Sequence, residues 1–467
     1  MNNPVNYPST ARAWVTVAIL MLAYVLSFID RQILNLLVGP IRRDLAISDT
    51  QMSLLMGFSF ALFYTLCGIP LGRMADRKSR RGLIAAGVLV WSAMTAVCGL
   101  AKSYWHFLFA RVGVGAGEAA LSPAAYSLIA DSFPPHQRAT AISVYSMGIY
   151  VGSGMAFLLG GLVIHFASAQ GDMVLPIIGT IRPWQSIFLM LGAAGVMFCL
   201  LLLSLKEPER QGAGAGVEVS FGEVMGYIKQ NRKTVLLHNL GFACVAFCAY
   251  GAASWVPAFF IRTYGLDAAE VGYIYGLLIG IFGSLGIIVG GRVSDWLTSR
   301  GHKDAPMRVG LIACAIALPS FACYAVDNLT VAIAAVGVGC FALAMPFGVA
   351  PAAIQEIMPN PMRGQASAMY LFVVTIIGLG VGPTAVAILT DYVFQDDKAL
   401  RYSLLIISVL ATVSALILLS ASLRPYRESV ERVQQWGPLP RLCCILQISS
   451  GCQVLADTRL SYRKTNQ

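Results

Sequence analysis

Charge is what this sequence has least of. Asp, Glu, Lys and Arg together make up 12% of its 467 residues, about half the share of an ordinary soluble chain. A soluble protein of this length also lacks the core volume to hide 57% apolar residues. With a mean hydropathy of +0.70, the scarcity of charge excludes water as the main solvent and leaves lipid. Other absences narrow the function. No glycine-rich phosphate loop runs into Lys-Ser/Thr, so ATP is not the expected energy source. The 11 cysteines show neither metal-ligand spacing nor a disulfide framework. Eight of them (Cys67, Cys98, Cys199, Cys244, Cys248, Cys314, Cys323, Cys340) fall in apolar segments and three in the C-terminal stretch. No nucleophile–base pair and no metal cluster stands out, so neither an enzyme nor a cofactor is expected. No small-residue cleavage site follows the first apolar segment, which reads as a retained helix.

What is present is a succession of apolar segments, each near the ~20 residues that cross a hydrocarbon layer. Twelve are expected, at 13–38, 52–72, 82–101, 105–130, 138–166, 184–205, 234–261, 270–291, 308–326, 330–355, 365–390 and 402–422. The fold class is therefore an all-α membrane protein with twelve transmembrane helices in two six-helix bundles. Residues 1–205 make the first bundle, 206–233 a linker with an amphipathic piece from Phe221 to Gln230, and 234–423 the second bundle. Residues 424–467 read as a disordered tail, in which Cys443 and Cys444 are possible acylation sites.

The formal net charge of +10 sits mainly between the apolar segments. That pattern sets topology and meets anionic headgroups; it does not indicate nucleic acid. The loops "GRMADRKSRR" and "GRVSDWLTSRGHKDAPMR" are basic and join even to odd spans. The positive-inside rule then expects both termini and the linker in the cytoplasm of a bacterial-type inner (plasma) membrane.

The two halves repeat each other. Gly72, Arg73, Asp76 and Arg81 recur as Gly291, Arg292, Asp295 and Arg300, at an offset of 219. Asp131, Pro134, Arg138, Ala141 and Tyr145 recur as Glu356, Pro359, Arg363, Ala366 and Tyr370, at an offset of 225. Repeated halves imply a site between them near the bilayer midplane.

Within "SFIDRQILNLL", Asp30 and Arg31 are the only charges between Ala13 and Val38. A charge at the centre of a membrane helix costs roughly 2.5–3.5 kcal/mol on insertion scales. Such residues survive where they pair or line a watery space. Span four supplies partners in Arg111 and Glu118, seven residues apart and so on one helix face. Helical rise sets Asp30 and Arg31 level with Arg111, with Glu118 deeper. With both acids ionised this group is neutral; a proton on Asp30 or Glu118 releases an arginine for an anionic headgroup. The alternative is a permanent ion-pair network holding spans one and four together.

Spans seven to twelve carry no Asp, Glu, Lys or Arg in their interiors. They offer Phe242, Phe247, Tyr250, Trp255, Phe259, Tyr273, Tyr275, Phe341 and Phe347. One charged wall facing one apolar wall suits an amphiphile. Arg31, Arg111, Glu118, Tyr145, Phe247 and Tyr250 are the expected cargo contacts. Span five holds five glycines at 148, 152, 154, 160 and 161 that permit close helix approach. Pro383 should kink span eleven. His165 is placed near the outer surface and His238 near the inner one, without a role.

"GRMADRKSRR" resembles the loop signature of the major facilitator superfamily, Gly-x-x-x-Asp-Arg-x-Gly-Arg-Arg, departing only at Ser79. Within that superfamily, Asp-Arg in span one and "ARVGVGAGEAALSPAAYSLIADSF" in span four look like the Spinster-like lysolipid transporters. The resemblance implies a proton-coupled carrier of a lysophospholipid or sphingoid-like amphiphile, working by alternating access. It also implies a latch between the halves formed by Asp76, Arg77, Arg81, Asp131 and Arg138 and mirrored by Asp295, Arg300, Glu356 and Arg363. Organic-anion:proton symporters share a similar Asp-Arg and Glu-Ala, so a sugar-acid cargo stays open. A non-transporting receptor or scaffold is the reading from another class. The expected partners are the lipid-like cargo, protons and membrane lipids, with the chain acting as a monomer and no nucleic acid bound.

Overall fold

The computed structural model describes residues 7–175, 179–209, 220–359 and 362–434. The side chains of Asp76, Arg77, Arg138 and His165, singled out above, lie outside the described residues. Residues 435–467, with Cys443 and Cys444, do so as well.

Among the described residues, eleven helical stretches are long and apolar enough to cross a membrane. The twelfth span, the fourth in order, is broken into Tyr104–Glu118 and Leu121–Ser132. This corrects the continuous helix expected over 105–130. Pro123 has no N–H to offer Ala119, and its ring crowds that carbonyl. The chain answers with a tight turn, in which Ala119 and Ala120 donate to Gly115 and Gly117 at 3.2 and 3.3 Å. Ala119 and Ala120 are buried, so irregular backbone at membrane depth is covered by protein. Glu118 ends the first piece of this broken helix.

Span one (Thr10–Leu36) packs on span five (Pro135–Gln170), span three (Arg80–Gly99) on span six (Pro183–Leu203), and span seven (Arg232–Tyr264) on span twelve (Leu400–Gln434). Ser79, the departure from the loop signature, caps span three: its hydroxyl accepts from Gly82 N–H. Span eleven starts at Arg363, passes through a wide turn at Thr375–Val381 and continues from Gly382. That wide turn directly precedes Pro383, whose missing N–H it accommodates.

The halves meet through span pairs five–eight, two–eleven and one–seven. Span five uses both faces: Gly148, Gly152 and Gly160 lie against span one, Gly154 and Gly161 against span eight (Ala268–Ser299). Gly57 of span two (Asp49–Ala75) is the tightest crossing, because a Cβ there would stand 2.2 Å from Leu379 O. At the end of the bundle remote from the linker, here the far face, charged groups join the halves. Asp49 is fully buried and takes Arg262 through both carboxylate oxygens, at 2.6 and 2.7 Å. Arg42 Nη1 lies 3.0 Å from the same Asp49 and 2.7 Å from Asp397. Thr50 donates its N–H and its hydroxyl to Asp391.

On the linker face, the helix Phe221–Gln230 begins with a Ser220–Glu223 capping box and docks on the second half through Tyr227 OH to Ile357 O. Span twelve extends to Gln434, which corrects the assignment of 424–434 to a disordered tail. The extension is held by buried polar contacts. Tyr426 is buried and donates to Glu356, Ser429 donates to Asn231, and Thr234 donates to Pro425 O.

Candidate functional site

Spans one and four bring Asp30, Arg31, Arg111 and Glu118 together in crossed pairs. Arg31 binds Glu118: Nη2 and Nε lie 2.5 and 2.6 Å from Oε2. Arg111 faces Asp30, with Nη1 3.5 Å from Oδ1. Two hydroxyls support the acids. Ser27, one turn before Arg31, donates to Glu118 Oε2 at 2.5 Å and accepts from Arg31 Nη2 at 3.1 Å. Thr95 of span three donates to Asp30 Oδ2.

Close backbone approach sets this geometry. A Cβ at Gly115 would lie 2.9 Å from Phe60 O, and one at Gly117 would lie 2.8 Å from Trp91 N. Span four therefore sits directly against spans two and three, and its Arg111 and Glu118 reach span one. Phe60 then becomes the apolar floor under both cations. Its ring centre is 4.5 Å from the Arg31 guanidinium and 5.8 Å from that of Arg111. Phe28 and Tyr64 also flank Arg31, at 4.8 and 5.2 Å. Such faces attract cations, the more so when water is excluded.

The quartet is neutral with both acids ionised, but its hydrogen bonding is incomplete. Arg111 is fully buried and donates only through Nε, to Leu55 O at 3.4 Å. Its two terminal nitrogens, Glu118 Oε1 and Asp30 Oδ1 have no hydrogen-bond partner. Buried polar groups are normally satisfied, and here spare donors stand beside spare acceptors. Arg31 is the member that reaches solvent, its side chain 17% exposed against 0% for Glu118 and Arg111.

The remaining candidates divide. Tyr145 is buried, stacked on Tyr24 at 4.7 Å and edge-on to Tyr126 at 5.4 Å. From the second half, Tyr250 sets its ring edge on Phe347 at 6.0 Å. Phe247 is half-buried, and its carbonyl lies where a Cβ on Gly382 would clash. Phe242, Trp255, Phe259 and Tyr275 are core residues, and Tyr273 is exposed. His238 is buried between Asn239 Oδ1 and Ala350 O, joining spans seven and ten, away from the quartet.

For the loop residues, the described partners lie in their own half. Asp131 pairs with Arg80, which also binds Glu207, Ser127 and Pro208 O. Arg81 donates to Leu205 O, Glu356 accepts from Tyr426, and Arg363 donates to Gln355 O and Met358 O. Arg300 lies over the Trp296 ring at 4.3 Å, and Asp295 is exposed.

Sequence reasoning missed Ser27, Thr95, Phe60, Arg80 and the far-face group of Arg42, Asp49, Arg262, Asp391 and Asp397. Ser27 was findable at one helical turn before Arg31. Asp49 and Arg262 carried no signal, because their pairing joins positions 213 residues apart.

The family model described as Major Facilitator Superfamily matches residues 20–383. The chain belongs to the major facilitator superfamily. It is thus an integral membrane transporter of two six-helix halves. A protein of Mycolicibacterium smegmatis named "MFS-type efflux pump" is 31% identical over 429 residues, 91% of this chain and 96% of that one. The "Hexuronate transporter" of Bacillus subtilis is 25% identical over 381 residues, 80% of this chain and 86% of that one. Among solved structures, a bacterial homolog of the human lysosomal transporter Spinster, titled as inward-facing and unoccupied, superposes with a TM-score of 0.74. It is 27% identical, and the match covers 92% of this chain and 100% of that one. Within the superfamily the chain is Spinster-like.

Proposed function

We propose that this transporter carries an amphiphile with an anionic or zwitterionic head, a lysophospholipid or sphingoid phosphate, and couples it to protons. The feature that carries the reading is the under-bonded quartet of the first half, together with a second half whose spans hold aromatic side chains and no interior charge. Protonating Glu118 removes the charge that holds Arg31. Arg31 is the cation in reach of solvent, and its paired donors fit phosphate or carboxylate. Tyr250, Phe247 and Phe347 on the opposite half suit the acyl chain, while Tyr145 braces span five behind span one. Proton and cargo then bias the same equilibrium between the halves, which is what coupling requires.

The positive-inside rule assigns the linker face to the cytoplasm of a bacterial-type inner membrane. The far-face ion pairs then join the halves on the outside, the arrangement expected of an inward-facing conformation. In the opposite conformation Asp76, Arg77, Arg81, Asp131 and Arg138, with Asp295, Arg300, Glu356 and Arg363, would latch the cytoplasmic side.

A sugar-acid cargo is favoured by one observation, the likeness to a hexuronate carrier. The apolar second half argues against it, since a polyol needs polar partners on every side. Purified protein in liposomes decides the matter. A lysophospholipid should be moved faster with an inward-directed proton gradient, and a hexuronate should not compete. Glu118→Gln should abolish gradient stimulation while leaving cargo exchange. Competition by the hexuronate refutes the lipid reading; a wild-type gradient response in Glu118→Gln removes Glu118 as carrier.

A further inference from the structure

Asp30 has a second set of neighbours that the exchange of ion pairs does not use. Between spans one, three and six lies a small cavity with about 10 Å³ open to the centre of a water molecule, the size of a one-water site. Asp30, Ser92, Thr95, Trp91, Leu191 and Gly195 line it. All belong to the first half.

Ser92 is the residue out of place. It is 2% exposed, and its hydroxyl has no hydrogen-bond partner. Buried helical hydroxyls usually donate to the carbonyl four residues back, as Ser132 and Ser153 do here. Ser92 does not. Span six makes room for it, because a Cβ at Gly195 would stand 2.0 Å from Ser92 Oγ. A water in the cavity would meet Ser92 Oγ, the Thr95 hydroxyl and Asp30, the two to four polar partners such a site needs.

We infer that this cavity is a water site that serves the protonated form of Asp30. The inference rests on the proton-coupled reading above, with Asp30 as a carrier. A protonated carboxyl must donate its O–H, and a guanidinium has no lone pair to accept it. Arg111, the charged partner of Asp30, is therefore useless to the acid form. Arg31 on the same helix cannot accept either. Glu118 takes Arg31 and Ser27 through Oε2, no hydrogen bond joins its other oxygen to Asp30, and the titratable neighbour Cys98 is a weak acceptor. Hydroxyls and water reverse from donor to acceptor freely. A proton takes the carboxylate from −1 to neutral, the water accepts the new O–H, and the water donates onward to Ser92 Oγ. Ser92 is thus a positioning residue, acting on Asp30 through the water.

The test is the pH profile of lysolipid uptake in liposomes, with the infrared band of protonated Asp30, identified by its loss in Asp30→Asn. In Ser92→Ala the acid form loses an acceptor while the ionised form keeps Arg111 and Thr95. The pH of half-maximal uptake should fall by about one unit, the size of one modest hydrogen bond. The carboxyl band should move to higher frequency, and cargo exchange without a gradient should persist. Ser92→Cys, closer in volume, should shift both readouts the same way and serves if the alanine variant does not fold. An unchanged profile and band in the Ser92 variants, with the band lost in Asp30→Asn, overturns the water site and leaves Asp30 as carrier. Loss of exchange together with uptake also overturns it, since the hydroxyl would then be structural. An unchanged profile in Asp30→Asn removes Asp30 as a carrier, and the water site with it, and leaves the proton to Glu118.

Discussion

Replacing Asp49 by asparagine should release the far face. Asp49 takes two guanidinium groups, Arg42 from its own half and Arg262 from the other. It is fully buried, while Arg42 and Arg262 are 20% and 14% exposed at their side chains. Breaking a buried ion pair by removing one partner costs about 3–5 kcal/mol. Both arginines keep some water, and the amide oxygen still accepts one bond, so about 2–3 kcal/mol is the expected loss. The Arg42–Asp397 and Thr50–Asp391 contacts remain. At 1.4 kcal/mol per factor of ten, that moves the equilibrium between far-face-closed and far-face-open forms by roughly 30- to 140-fold. A far-open form populated at ~1% would rise to between about a quarter and about three-fifths of the molecules. Spin labels at exposed Arg43 and Lys398, one on each half, read this as a new long-distance population in detergent or nanodiscs. Arg262→Gln should produce the same shift, and the double variant should add little to either single one. An unchanged distance distribution in a folded Asp49→Asn protein would falsify the assignment of this group as a latch.

Other expectations follow from the same contacts. Gly57→Ala forces spans two and eleven apart without touching a charge, because Leu379 O lies 2.2 Å from the new methyl; the same labels should report far-face opening, and a wild-type distribution would show that backbone relief absorbs the clash. Arg80 is fully buried with Asp131 and Glu207 as partners, so Arg80→Met should lower stability by about 3–5 kcal/mol in a thermal or denaturant melt; a loss under 1 kcal/mol would mean the pairs barely offset their desolvation. Burial alone would raise the Glu207 carboxyl, but hydrogen bonds from Ser79, the Arg80 N–H and the Arg80 guanidinium hold it below the usual carboxylate range. Its contribution to docking the linker is therefore complete above the unfolded value, near pH 4.3, and is lost as pH falls through the lower folded value. Hydrogen exchange at the Arg80 and Gly82 amides should rise on that acid limb, and Glu207→Gln should flatten the rise.

Much of the fold was written in local composition. A stretch of ~20 apolar residues has one stable solution in lipid, a helix that satisfies its own backbone, so the spans and the two-half repeat were legible without coordinates. The break in span four was not read, although Pro123 announced it, because mean apolarity runs unbroken across Ala119. The helix through 424–434 was missed because its anchors are single contacts to Asn231, Thr234 and Glu356, distant in sequence.

For the site, helical spacing already placed Arg111 and Glu118 on one face, and lone charges in apolar helices announced themselves. Spacing along one helix carries no information about the neighbour across the gap. Which acid met which base was decided by the glycine contacts that seat span four on spans two and three, giving Arg31 to Glu118 and Arg111 to Asp30. The far-face latch and the cavity beside Ser92 likewise exist only once distant helices are packed. Sequence determines what each helix must bury, because the cost of exposing a backbone or a charge to lipid is local. Tertiary structure alone decides who pays that cost together, because pairing energy depends on distance in space between residues far apart in the chain.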